Sequence, residues 1–164
     1  RCRAGDPILQ PGNYDGGQYP RDIVASLNRY IPILEADNLV DAAVATPIAD
    51  LEISAEIIGA GPVKGISEAI PGMAVQKFGR TTGLTRGAVM AVEVDTNPIR
   101  YNGYAAPFIN QIFLNNMSAG GDSGSLIMDT ANNALGLLFA GSNMVTIASP
   151  IASVLTGLDI YLEL

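Results

Sequence analysis

Apolar residues along this chain gather in short runs between turn-forming residues, and helical spacing is sustained only near the C-terminus. The runs predict strands at Ile23–Leu27, Leu39–Ala45, Ala74–Phe78, Gly87–Val94, Gln111–Leu114, Ser125–Met128, Ala134–Ala140 and Val145–Ser149. Eighteen glycines and ten prolines fall mostly between them, the punctuation of an all-β sandwich or barrel. The exception is "SPIASVLTGL", where Ile151, Val154, Leu155 and Leu158 share one helical face, with Ser149 expected as N-cap and Pro150 at the first helical position.

The stretch "GAGPVKGISEAIPG", residues 59–72, reads as a linker between residues 1–58 and 73–164. Two or three strands precede it and about six follow. About five or six antiparallel strands close a small barrel, whereas two or three do not. Residues 73–164 are therefore expected to form a complete barrel, and residues 1–58 part of a domain whose other strands lie elsewhere. Unpaired edges and an uncovered apolar face favour association. The portion before about Ile58 is thus expected to bind the protein's own N-terminal fragment, to pair with a homodimer partner, or to order poorly. No internal repeat is visible, and Pro62 and the spacing of "GAGPVKG" argue for a plain turn over a phosphate-binding loop.

Composition narrows the classes of function. A chain of 164 residues, 48% hydrophobic, is long enough for one ordinary domain with a sizeable core but short for two complete barrels. Nine Lys plus Arg against sixteen Asp plus Glu leave a net charge of −7 with no basic run, which argues against a nucleic-acid partner. No apolar run approaches the roughly 20 residues of a membrane-spanning helix, so no membrane partner is expected either. Cys2 is the single cysteine and histidine is absent, which excludes an internal disulfide framework and leaves little for zinc; no cofactor or metal is expected. The start "RCRAGDP" has neither an apolar signal core nor an initiator methionine, as if the chain began inside a longer one.

The chemistry concentrates in "SAGGDSGS", Ser118–Ser125. A serine hydroxyl attacks a carbonyl only when a neighbouring base takes its proton. Gly121 allows a turn tight enough for its own N–H and that of Ser123 to point at one spot, as an oxyanion hole requires. The same letters also suit a plain Gly/Ser/Asp turn between strands. An α/β-hydrolase elbow does not fit, because Ser125 stands where its second glycine belongs and "SLIMD" reads as a strand. A lysine base has two sources only, Lys64 in the linker and Lys77 beside Phe78 and Arg80. With no histidine present, Ser123 is not a nucleophile, or another residue type serves it, or its base lies outside these 164 residues.

"GGDSGS", followed by "LIMDTANNALGLLFAGS", an apolar strand and a C-terminal helix, resembles the nucleophile end of trypsin- or chymotrypsin-like serine peptidases. "VQKFGRTTGLTRGAV", Val75–Val89, is similar to the hairpin that opens the second barrel in bacterial trypsin-like proteins, and "GDPILQPG", Gly5–Gly12, fits the same bacterial subgroup. The likeness spans nearly the whole chain. It implies a chymotrypsin-like all-β fold, with a complete second antiparallel β-barrel, a partial first barrel and a C-terminal helix. It implies a His-Asp-Ser triad in that chain order, with Ser123 as nucleophile, Asp41 of "NLVDAAVAT" as the acid and the histidine upstream of "RCRAGDP". From the residues alone, Asp41 is either an acid in an apolar setting that needs a partner or a solvent-facing aspartate at a strand start.

The resemblance further implies an oxyanion hole from Gly121 and Ser123, and a pocket for the residue before the scissile bond lined by Met117, Ser118, Phe139, Ala140, Gly141 and Val145. Asp122 becomes a buried acid that fixes the oxyanion loop. Arg80, the only basic residue within the Gly/Thr-rich turn "GRTTG", either braces a neighbouring loop by bidentate hydrogen bonds or is solvated surface, and the structural role is preferred. The N-terminal amine that pairs with the matching acid in trypsin has no counterpart here. The implied function is the C-terminal portion of a serine endopeptidase acting on peptide or protein substrates, inactive as an isolated chain, with proteolytic or autoproteolytic cleavage as one origin of its start. The alternatives are a non-catalytic binding or regulatory module on a peptidase-like fold, and a structural fragment that associates with its N-terminal partner.

Overall fold

The computed structural model describes residues 2–101 and 103–163. Packing divides the chain into two units, Arg1–Ile31 with Ala43–Ser54, and Pro32–Ala42 with Ala55–Leu164. The first unit is an open antiparallel sheet of β1 (Pro7–Leu9), β2 (Ile23–Tyr30) and β3 (Ala43–Pro47), with β2 in the middle. In β2, Ala25 and Leu27 are buried while Ser26 and Asn28 are exposed, the period of two that made the strand legible. It continues past Leu27 through polar residues because Arg29 and Tyr30 pair with Val44 and Ala43. The strand expected at Leu39–Ala45 begins later, at Ala43. Asn38 donates its N–H to Pro107 O at 3.1 Å and accepts from Ile109 N–H at 2.9 Å, so the residues just after it are committed to the second unit.

The second unit contains β4 (Glu56–Ile57), β5 (Gly61–Pro62), β6 (Gly65–Ile66), β7 (Ala74–Gly79), β8 (Gly83–Val94), β9 (Ile99–Tyr101), β10 (Tyr104–Ala106), β11 (Gln111–Asn115), β12 (Leu126–Asp129), β13 (Asn133–Gly141) and β14 (Val145–Pro150). Six of them close an antiparallel barrel in the order β12-β7-β8-β11-β14-β13, with β12 pairing back to β13. Short β6 pairs in parallel with the first two residues of β13, Asn133 and Ala134. Val75, Val89, Ile112, Leu114, Ile127, Leu135, Leu138 and Ala148 fill the barrel, and burying a side chain of Leu or Ile size contributes about 1.5–3 kcal/mol. β9 and β10 form a small separate hairpin, three residues to a strand, too short for alternation to reveal.

The C-terminal helix, α1 (Ile151–Leu158), buries Ile151, Val154 and Leu158 as its periodicity requires. Its N-cap is Pro150, without a side-chain cap, and not Ser149 as expected. Ser149 instead belongs to β14, and its hydroxyl donates to Gln111 Oε1 at 3.0 Å across the β11–β14 pair. Both residues are wholly buried, and a buried hydroxyl is worth more satisfying a buried amide than capping a helix at the surface.

Candidate functional site

The loop between β11 and β12 carries Ser123 on two glycines in conformations that other residues rarely adopt: φ is +100° at Gly121 and +90° at Gly124. Asp122 N–H donates to Ala119 O at 3.1 Å, and Ser125 folds back on Asp122 O through both its N–H and its hydroxyl, at 3.0 and 2.5 Å. Gly124 N–H donates to Leu138 O at 2.7 Å and Leu138 N–H to Ser125 O at 2.9 Å, which ties the loop to β13. The Ser123 side chain is exposed, and its Oγ donates to Phe139 O at 3.3 Å.

The tip of the β7–β8 hairpin sets the geometry of the preceding peptide. Thr81 Oγ1 donates to Gly120 O at 2.8 Å, and in a trans peptide that turns the Gly121 N–H to the opposite side. A Cβ on Gly121 would lie 2.5 Å from that same hydroxyl. Arg80 Nη1 donates to Thr81 Oγ1 at 3.1 Å, so the guanidinium sits against the hairpin tip it belongs to. Among the described residues, neither Gly121 N–H nor Ser123 N–H donates to a protein acceptor.

Asp122 is buried and so is the cation beside it. Lys77 Nζ stands 3.3 Å from Asp122 Oδ2, with both side chains fully out of solvent. Asp122 Oδ1 accepts from Thr81 N–H at 2.8 Å and Thr82 N–H at 3.1 Å; Oδ2 accepts from Thr82 Oγ1 at 2.6 Å and Ala119 N–H at 3.0 Å. Burial pushes this carboxyl up, but the Thr82 hydroxyl and the three N–H donors outweigh it and hold the group well below the usual carboxylate range. Lys77 also donates to Thr82 Oγ1 and to Gly83 O, so none of its bonds leads to Ser123. Gly79 makes room for the cluster, since a Cβ there would lie 2.5 Å from Asp122 Oδ1. Sequence reasoning missed this pairing, although Lys77 shares strand parity with buried Val75.

Asp41 lies half-buried between buried Val40 and Ala42, and its partner is Tyr101, whose hydroxyl donates to Oδ2 at 2.8 Å. Burial raises the Asp41 carboxyl above its ordinary range, opposed in part by that hydrogen bond. Burial first, then the bond to Asp41, pushes the Tyr101 phenol far up, so it remains a donor. The Tyr101 ring stacks on Tyr104 at 5.4 Å and tilts against Phe108 at 6.4 Å, and Phe108 meets Phe139 at 4.6 Å. Phe139 O is the acceptor of the Ser123 hydroxyl, so Asp41 and Ser123 end one continuous path of contacts.

Of the six residues expected to line a pocket, Met117, Ser118 and Gly141 bond or pair with buried Thr146, which the sequence did not mark, while Phe139 packs on Phe108. Met117 N–H donates to Thr146 Oγ1 at 3.1 Å, and the Ser118 and Thr146 hydroxyls are 2.7 Å apart. Gly141 pairs with Thr146 and Ala140 with Ile147 across the β13–β14 hairpin that Val145 begins on its β14 side. A Cβ on Gly141 would lie 3.5 Å from Ser118 Oγ. None of the six carries a carboxylate. Among the described residues, no group of three or more His, Cys, Asp or Glu is placed to hold a metal ion.

No protein-family model matches the sequence, and neither does any curated protein. Solved structures do match. A glutamic acid-specific serine protease, described as using a novel histidine triad in substrate binding, superposes with a TM-score of 0.66 at 24% identity, over 87% of this chain and 73% of its own. Cellulomonas bogoriensis chymotrypsin gives 0.64 at 22% identity, over 80% of this chain and 71% of its own. A Nocardiopsis protease gives 0.65 at 19% identity, over 82% and 71%. The closed six-stranded barrel with its C-terminal helix, and its likeness to these bacterial serine proteases, give this chain the chymotrypsin-like fold.

Proposed function

We propose that this chain carries the nucleophile and the acid of a serine endopeptidase whose histidine lies on a segment preceding Arg1. The observation that supports it most is the Ser123 loop: an exposed serine between two positive-φ glycines, with the Gly121 and Ser123 N–H groups uncommitted among the described residues and Asp122 anchored beneath them. In this reading the imidazole takes the Ser123 proton as Oγ attacks the peptide carbonyl, and Asp41 orients the ring and stabilises the imidazolium. The two N–H groups receive the oxyanion, a contribution on the order of 3 kcal/mol per donor. The imidazolium then protonates the leaving amine, and water repeats the sequence on the acyl-enzyme.

The test is to produce the protein with the residues encoded before Arg1 and to assay peptide-bond hydrolysis. Turnover that is lost on replacing the upstream histidine, and equally on Ser123→Ala, is expected. A preceding segment without histidine, or hydrolysis indifferent to Ser123→Ala, refutes the reading and leaves a binding or regulatory module on this fold.

Specificity follows from the pocket. Met117, Ser118, Phe139, Ala140, Gly141 and Val145 offer no carboxylate to neutralise a lysine or arginine side chain and no cation to neutralise an acidic one. Cleavage after small or apolar residues is expected in a peptide-library profile of the histidine-bearing protein. A profile dominated by Lys, Arg or Glu would contradict that pocket assignment.

A further inference from the structure

We propose that Tyr101 is the positioning residue of Asp41, its hydroxyl holding carboxylate oxygen Oδ2 so that Oδ1 is left as the acceptor for an imidazole N–H. The inference rests on the peptidase reading above and deepens it. Its ground is geometric. The bond of 2.8 Å joins residues 60 positions apart, brought together by the β9–β10 hairpin. The position of the hydroxyl is set by the ring beneath it, stacked at 15° on Tyr104 of the same hairpin and packed against wholly buried Phe108. Among the described residues, Asp41 Oδ1 receives no hydrogen bond, although a carboxylate has room for about four. A half-buried carboxylate with one donor is short of partners, and an imidazole N–H supplies the missing one.

Tyr101→Phe removes the hydroxyl and keeps the ring and its packing. The measurement is the pH titration of the Asp41 side-chain carboxyl carbon by NMR, made on this chain. The titratable groups that bear on Asp41 are Tyr101 and, behind it, Tyr104, so Tyr104→Phe serves as the control. Loss of a donor to the carboxylate destabilises its charged form, so Tyr101→Phe should move the Asp41 midpoint up by about one pH unit, a roughly tenfold tighter proton. Tyr104→Phe should leave the midpoint in place. A midpoint unchanged by Tyr101→Phe overturns the proposal.

In the histidine-bearing protein, Tyr101→Phe should lower kcat by about tenfold to a hundredfold with KM unchanged, the pattern of a misplaced catalytic group. Unchanged kcat would also overturn the proposal. Inactivity of that protein with a normal Asp41 titration has a different meaning. It removes the peptidase reading, and the imidazole seat with it, while the Tyr101–Asp41 bond stands.

Discussion

Asp122→Ala should destabilise this chain by about 3–5 kcal/mol, because it strips a wholly buried ammonium, Lys77, of its carboxylate partner. It also leaves the N–H groups of Thr81, Thr82 and Ala119 without their acceptor. Lys77→Met should cost less, about 2 kcal/mol, since the carboxylate keeps four donors after the ammonium has gone. Urea unfolding of the two variants gives the comparison, with midpoints falling and slopes unchanged. A Lys77→Met cost equal to or above that of Asp122→Ala would mean that the ion pair, and not the hydrogen-bond cage, holds the loop. The pH dependence has a definite sign. The folded-state carboxyl of Asp122 is depressed, so its contribution is fully present above the unfolded value near ~3.9 and is lost only as pH falls through the lower folded value. The wild type should therefore shed stability in acid over a range that Asp122→Ala does not share.

Ser123 of this chain should react with a fluorophosphonate about 10³-fold to 10⁶-fold more slowly than Ser123 of the histidine-bearing protein, the scale on which losing a triad base acts. Its hydroxyl donates to the Phe139 carbonyl, an acceptor that can hold the proton but not take it. Lys77 is bound to Asp122, Thr82 and Gly83, which removes the one buried lysine as a substitute. Labelling is read by intact mass, with Ser123→Ala as the blank. Fast stoichiometric labelling of this chain would put a base within it and defeat the upstream-histidine argument. Equal, slow labelling of both proteins would favour the non-catalytic module.

The barrel was legible because its signals are local. Ala74–Gly79, Gln111–Asn115, Leu126–Asp129 and Asn133–Gly141 each carry an apolar run or alternation that a strand requires, and the glycines around Ser123 mark φ values that few other residues tolerate. The β9–β10 hairpin was not legible, because three-residue strands show no period. Ser149 was misread as a cap because capping preference weighs near neighbours only, whereas Gln111 lies across the sheet.

An all-β chain with a closed barrel, a terminal helix and a serine set between glycines can be read from the residues alone, since each follows from spacing and backbone freedom within a few residues. That Lys77 answers Asp122, that Tyr101 answers Asp41 across 60 residues, and that Thr146 bonds both Met117 and Ser118 emerges only in the folded chain. Those pairings depend on which strands become neighbours when the sheet closes. Strand order is a property of the whole barrel's burial, to which each short segment contributes without encoding its partner.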